Sequence, residues 1–308
     1  MIDQVPLRGK IIINESLAKY TSWKVGGPAD QVYRPVDIDD LSNFLGQLPS
    51  SEPVYWMGLG SNLLVRDKGI RGTVIMTSGL LNQLELVDEL RIRVEVGVPC
   101  NKVAKYAAKA NLVGVEFLAG IPGTMGGALA MNAGAFGGET WAHIETVEML
   151  SRAGEKHLRT PDEFAIAYRS VHGPAHEWFV AATLKLISGE GVDSLQRIKK
   201  LLAKRAATQP TNLPSCGSVF RNPENADHAA RLIETAGLKG LCVGGACVSE
   251  KHANFIINRN KATAADIEKL IEKVQSEVKK VHGICLIREV CIAGEALNLT
   301  AVEKHDIS

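Results

Sequence analysis

Short apolar runs with one amphipathic period between them fill the first third of the chain. Segments 31–36, 54–57, 73–76, 84–87 and 91–96 read as strands, and 38–47 as a helix. Asp88-Glu89 between two of these runs marks a hairpin, and Ala153-Gly154 between 145–150 and 156–159 marks another. In 101–110, Val103, Ala104, Ala107 and Ala108 share one helical face, and 179–187 is a further strand. Ser188-Gly189-Glu190-Gly191 then reads as a linker, and the rhythm changes to longer helical periods. Segment 194–207 points Leu195, Ile198, Leu201 and Leu202 inward. Segment 265–281 does so with Ile267, Leu270, Ile271, Val274, Val278 and Val281, behind a capping box of Thr263 and Asp266. With strand candidates at 253–258 and 284–292, the pattern predicts an α+β chain whose last domain begins near residue 190.

One apolar stretch breaks both periods. Residues 117–138, FLAGIPGTMGGALAMNAGAFGG, hold Gly120, Gly123, Gly126, Gly127, Gly134, Gly137 and Gly138. Glycine costs a helix or strand roughly 0.5–1 kcal/mol relative to alanine, so such density implies close backbone approach or positive φ. Main-chain N–H groups in a loop of this kind cradle phosphates. A second segment, Gly58-Leu59-Gly60-Ser61-Asn62-Leu63, is its smaller counterpart. Neither holds the Gly-Lys-Ser/Thr of a Walker loop, and Gly58-x-Gly60 lacks the third glycine of a Rossmann fingerprint. Taken singly, the segment Gly58–Asn62 is also consistent with a turn between strands. Together, with Ser61, Asn62, Thr124 and Asn132 beside them, they predict a large dinucleotide held by backbone amides.

Composition narrows the partners. The 308 residues carry a net charge of +1, which offers no footprint for nucleic acid or an anionic membrane. No run approaches the ~18 apolar residues of a membrane span, and the first ten residues do not read as a signal peptide. Six cysteines without a CxxC pair predict free thiols in a reducing cytoplasm. No metal site is expected. His172 and His176 are split by Gly173-Pro174 and read as a solvated loop.

A set of motifs carries a family resemblance: TSWKVGGPAD at 21–30, GLGSNLLV at 58–65, GVEF at 114–117 running into the glycine-rich stretch, Ala167-Tyr168-Arg169-Ser170, GSVFRNP at 217–223 and SEKHANF at 249–255. Together, from about residue 14 to 294, they resemble the UDP-N-acetylenolpyruvoylglucosamine reductase (MurB) family, in its shorter, type II class. The resemblance implies an α+β fold, an FAD-binding PCMH-type (vanillyl-alcohol-oxidase-like) module of two subdomains at 1–80 and 81–189. A smaller α+β substrate domain follows at 190–295, then a tail at 296–308. It implies FAD over Gly58, Leu59, Gly60, Ser61, Asn62, Leu63, Gly120, Ile121, Pro122, Gly123, Thr124, Gly126, Gly127, Asn132, Ala133 and Gly134. It also implies NADPH as reductant of the flavin, UDP-N-acetylglucosamine enolpyruvate as small-molecule substrate, and a cytoplasmic monomer. No histidine precedes His143, so the flavin is expected to be bound without a histidyl tether.

The same resemblance assigns roles. Hydride addition at C3 of the enolpyruvyl ether leaves charge on C2 and the carboxylate. Arg169 is the expected stabiliser of that charge, Ser218 the proton donor to C2, and Glu289 its partner. Tyr168, Arg221, Asn222 and Lys204 are expected at substrate or phosphate. Several positions depart from the family pattern. Ser170 follows Arg169 directly, with Val171 where a serine is usual; Cys216 stands two residues before Ser218 as an alternative donor or oxidation site; Cys291 replaces a common arginine. Another PCMH-type oxidase or dehydrogenase, and a flavin-binding module without catalysis, are the competing readings.

Overall fold

A computed structural model describes residues 5–224 and 227–296. Two compact units interleave along the chain, where the sequence suggested contiguous blocks. The first takes residues up to Ile12, 31–61 and 72–211; the second takes 13–30, 62–71 and the chain from Asn212 on. Most of the tail expected at 296–308 lies outside the described residues.

The first unit is built around a five-stranded antiparallel sheet. Its strand order is Lys156–Arg159, Ile144–Ser151, Glu177–Lys185, Arg91–Glu95, Leu84–Leu86. Both hairpins expected from turn chemistry form here. A parallel pair, Val54–Met57 beside Ile70–Met76, is in register from Val54↔Thr73 to Met57↔Met76. Helix α1 (Ile38–Gln47) starts where Asp37 accepts from the N–H of Asp40 at 2.8 Å, a side-chain N-cap. It buries Ile38, Leu41, Phe44 and Leu45, the i, i+3, i+6, i+7 face its sequence encodes. Helix α2 (Cys100–Lys109) buries Val103, Ala104, Ala107 and Ala108 as expected.

Helices α3 (Met125–Ala130) and α4 (Gly191–Thr208) also belong to this unit. The expected linker is not one. Ile187–Ser188 pairs with Leu112–Val113, and α4 packs back on α2 and on Glu116–Gly120. Glu116 fixes it by accepting from Ser194 Oγ at 2.9 Å and from Arg197 Nη2 at 2.7 Å. Ile198 reaches the core as expected, whereas Leu195 is 40% exposed because the small Ser194 takes the buried place in that turn.

The second unit packs α5 (Ala229–Thr235) and α6 (Ala264–His282) with a three-stranded antiparallel sheet, Cys242–Val243, Ala246–Val248 and Ile256–Asn258. The Thr263–Asp266 capping box opens α6, and both oxygens of Asp67 accept its first N–H groups, from Ala264 and Ala265, at 2.9 Å. Val278 is the last core residue of α6; Val281, expected inward, is 53% exposed in the final turn. Trp23, fully buried, donates from Nε1 to the carbonyl of Ile256 at 2.7 Å. The segment 284–292, expected as one long strand, forms only Cys291–Ala293, parallel to Leu63–Val65.

The expectation that all six thiols are free is corrected here. Cys242 and Cys247 face each other across a hairpin with Cα atoms 4.1 Å apart and form a disulfide. Turn geometry set by Gly244-Gly245 brings them together, which no CxxC search detects. Cys100, Cys216, Cys285 and Cys291 are not in disulfides. Among the described residues no helix is long and apolar enough to cross a membrane, and no group of three His, Cys, Asp or Glu is arranged to hold a metal ion.

Candidate active site

In the first unit the two glycine-rich loops meet. A Cβ on Gly58 would lie 2.4 Å from Thr124 Oγ1, and one on Gly123 would lie 3.3 Å from Ser61 Oγ. Only glycine allows the first approach. Thr124 is buried, and its loop is pinned by the N–H of Cys100 donating to Gly123 at 2.9 Å. The N–H groups of Met125 and Gly126 point inward to the carbonyls of Val98 and Val96, both at 2.9 Å, so neither is available to a phosphate. Gly126 is a packing glycine: its Cβ would stand 2.9 Å from Val96 Cβ. Gly127, one residue on, is exposed and has nothing within 4 Å of a Cβ.

Gly127 opens onto a cleft of about 220 Å³ lined by Trp56, Gly58, Thr124, Gly126, Trp178 and Phe179 among others. A lining that combines aromatic side chains with bare glycine backbone suits a ligand with flat rings and a diphosphate, and FAD fits that description. Gly127→Leu is therefore expected to fold normally yet lose flavin. The check is the yellow absorbance at about 450 nm retained after FAD loading and desalting; wild-type retention would contradict this use of the cleft.

The remaining residues of the stretch are distributed by packing. Gly60, Ala133 and Asn132 are buried, while Leu59 and Pro122 are exposed; Ile121 and Gly134 lie between. Asn132 is engaged on both sides: Oδ1 accepts from Trp141 N–H at 3.1 Å, and Nδ2 donates to Glu139 at 3.0 Å. Its side chain braces the loop from within.

Arg169 joins this loop. A two-residue hairpin turn, Tyr168-Arg169, links the paired strands Ala165–Ala167 and Ser170–His172. Arg169 takes φ = +55°, a left-handed conformation costly for a residue with a Cβ. Its Nη2 donates to the carbonyl of Gly134 at 2.8 Å, its Nη1 to that of Asn132 at 3.4 Å, and its guanidinium lies 5.0 Å over the Tyr168 ring. Strain of this sort gathers where a side chain must be aimed. Lys204 on α4 is exposed. Its neighbour Arg205, passed over in the sequence, is half-buried, bonds Gln209, and has no acidic partner among the described residues; burial alone pushes its pKa down. Only the fold reveals which of the two adjacent cations is desolvated.

In the second unit the segment after Ser218 runs antiparallel to the one carrying Glu289. The N–H of Glu289 donates to Val219 at 2.8 Å, the N–H of Arg221 to Ile287 at 2.9 Å, and Phe220 bridges Arg288. Asn62 and Leu63 belong here too. Asn62 Nδ2 donates to the carbonyl of Glu289 at 3.0 Å, and Leu63 pairs with Cys291. Ser218 is half-buried and follows Gly217, which sits at φ = +70°. Arg221 has a buried Nε with no hydrogen-bond partner among the described residues, and Asn222 caps α5 by accepting from the N–H of Ala229 at 3.1 Å. Cys216 is buried, and its thiol, raised by burial to about 12, donates to Leu63 at 3.7 Å. That makes it a packing thiol.

Comparison with known proteins places the chain among FAD-binding oxidoreductases with a distinct C-terminal domain. Residues 29–159 match the FAD binding domain model. Residues 209–293 match the C-terminal domain of UDP-N-acetylenolpyruvoylglucosamine reductase. The reductase of Methylococcus capsulatus is 56% identical over 94% of this chain and 95% of its own length. That of Legionella pneumophila is 57% identical over 94% of each. The crystal structure of the Thermus caldophilus enzyme, 33% identical, superposes with a TM-score of 0.80 over 94% of this chain and 100% of its own. The chain belongs to the UDP-N-acetylenolpyruvoylglucosamine reductase family.

Proposed function

We propose that the protein reduces UDP-N-acetylglucosamine enolpyruvate to UDP-N-acetylmuramate for peptidoglycan synthesis, as a cytoplasmic monomer with NADPH as reductant. The observation that carries this reading is the backbone pairing of the Ser218 loop with the Glu289 segment inside one unit. FAD, when bound, supplies a two-electron store that accepts hydride from one substrate and passes it to the next. The chain supplies charge, a proton and placement. Arg169 stabilises the negative charge that builds on the substrate carboxylate as C3 gains hydride. Ser218 protonates C2. A hydroxyl is a weak acid, which suffices when the acceptor is a strongly basic enolate and Glu289 assists. Arg221, Asn222, Tyr168 and Lys204 bind substrate or phosphate groups.

Anaerobic rapid mixing tests the scheme. NADPH should bleach the flavin, and the enolpyruvyl substrate should restore its colour with one UDP-N-acetylmuramate formed per NADPH consumed. In air, sustained NADPH turnover at the same rate without that substrate, with dioxygen as acceptor, would instead favour a simple oxidase.

A further inference from the structure

Asn254 lies in the connection between the strands Ala246–Val248 and Ile256–Asn258 and is 3% exposed. Its main-chain carbonyl accepts from the N–H of Val219 at 2.9 Å. Its side chain closes a ring on the next residue. Oδ1 accepts from the N–H of Phe220 at 3.0 Å, and Nδ2 donates to the Phe220 carbonyl at 2.8 Å. A carboxamide is the side chain that offers donor and acceptor in this spacing, so it substitutes for a missing strand edge.

The Glu289 segment holds the residues on either side of Phe220. Val219 accepts from the N–H of Glu289, and Arg221 donates to Ile287. Upstream, Gly217 leaves open space and a left-handed φ. Ser218 thus hangs between a pliant glycine and a Val219-Phe220 pair clamped from both sides. The clamp fixes the backbone that carries its hydroxyl on the downstream side, and Asn254 is one half of it.

We propose that Asn254 is a positioning residue for proton delivery by Ser218, an inference that rests on the reading of Ser218 given above. Asn254→Asp keeps the volume and the acceptor but removes the donor; Asn254→Ala removes both. Each should slow substrate-driven flavin reoxidation at least about tenfold while NADPH-driven flavin reduction stays within about twofold of wild type. The double variant Asn254→Asp/Ser218→Ala should reoxidise no more slowly than Ser218→Ala alone, because a residue acting only through Ser218 has nothing left to position. Should Asn254→Ala fail to fold, the isosteric Asp variant carries the test. Additive slowing in the double variant, or equal slowing of both half-reactions, would show a general structural role and overturn the proposal. Wild-type reoxidation in Asn254→Asp beside a slow Ser218→Ala would overturn the positioning role alone. Wild-type reoxidation in Ser218→Ala would remove the donor assignment, and this role with it.

Discussion

Ser218→Ala should be reduced by NADPH at close to the wild-type rate and should then hold its electrons. Loss of a positioned proton donor costs about 10²–10⁴ in rate, or roughly 3–5.5 kcal/mol of barrier. The loss should appear wholly in reoxidation by the enolpyruvyl substrate, since the proton moves only in that half-reaction. The local structure predicts no confounding collapse. Ser218 is half-buried, and Val219 and Phe220 keep their backbone bonds when its hydroxyl goes. Cys216→Ala is the matching control. Its thiol is 3% exposed and bonded to the Leu63 carbonyl, so reoxidation should be near normal. If Cys216→Ala stalls and Ser218→Ala does not, the two roles are exchanged.

Replacement of Arg169 should separate activity from stability. Arg169→Ala removes a charge stabiliser, a loss worth about 10²–10³ in rate where such a donor faces developing charge. Arg169→Lys should fall between, because an ammonium keeps the charge without the planar fork. Arg169→Gly makes the sharper test. It relieves a left-handed φ that costs an ordinary residue roughly 1–2 kcal/mol. It also forfeits bonds to Gly134 and Asn132 worth about 0.5–1.5 kcal/mol each. With the stacking on Tyr168 lost as well, the unfolding temperature should fall only modestly while reoxidation is lost. A large fall in unfolding temperature would mean that Arg169 serves mainly as a brace for the glycine-rich loop.

Much of the local structure was legible in the chain. Helix α1 spans the residues its period predicted, the Thr263–Asp266 box forms, and both hairpins close where turn residues stood. Such features depend on neighbours within a turn or two. Failures came where distant packing decides. The segment 284–292 looks like one strand, yet it meets only a bridge at Arg288 and a short parallel partner at Leu63–Val65. Asn254 entered only as one letter of SEKHANF and was given no role, because its side chain pairs with backbone far away in sequence and a lone asparagine carries no periodicity.

The sequence by itself determined the α+β composition, the two glycine-rich loops and, through its motifs, the family. Through that resemblance it also singled out Arg169, Ser218 and Glu289. Tertiary structure decided which glycine does what: Gly126 packs on Val96 while Gly127 faces an open cleft. It also decided that the Ser218 segment lies between Glu289 and Asn254, that Cys242 and Cys247 join, and that the two units interleave. The reason is physical. Periodicity and turn chemistry are short-range and written in consecutive residues, whereas close approach and backbone pairing depend on what the rest of the chain packs against them.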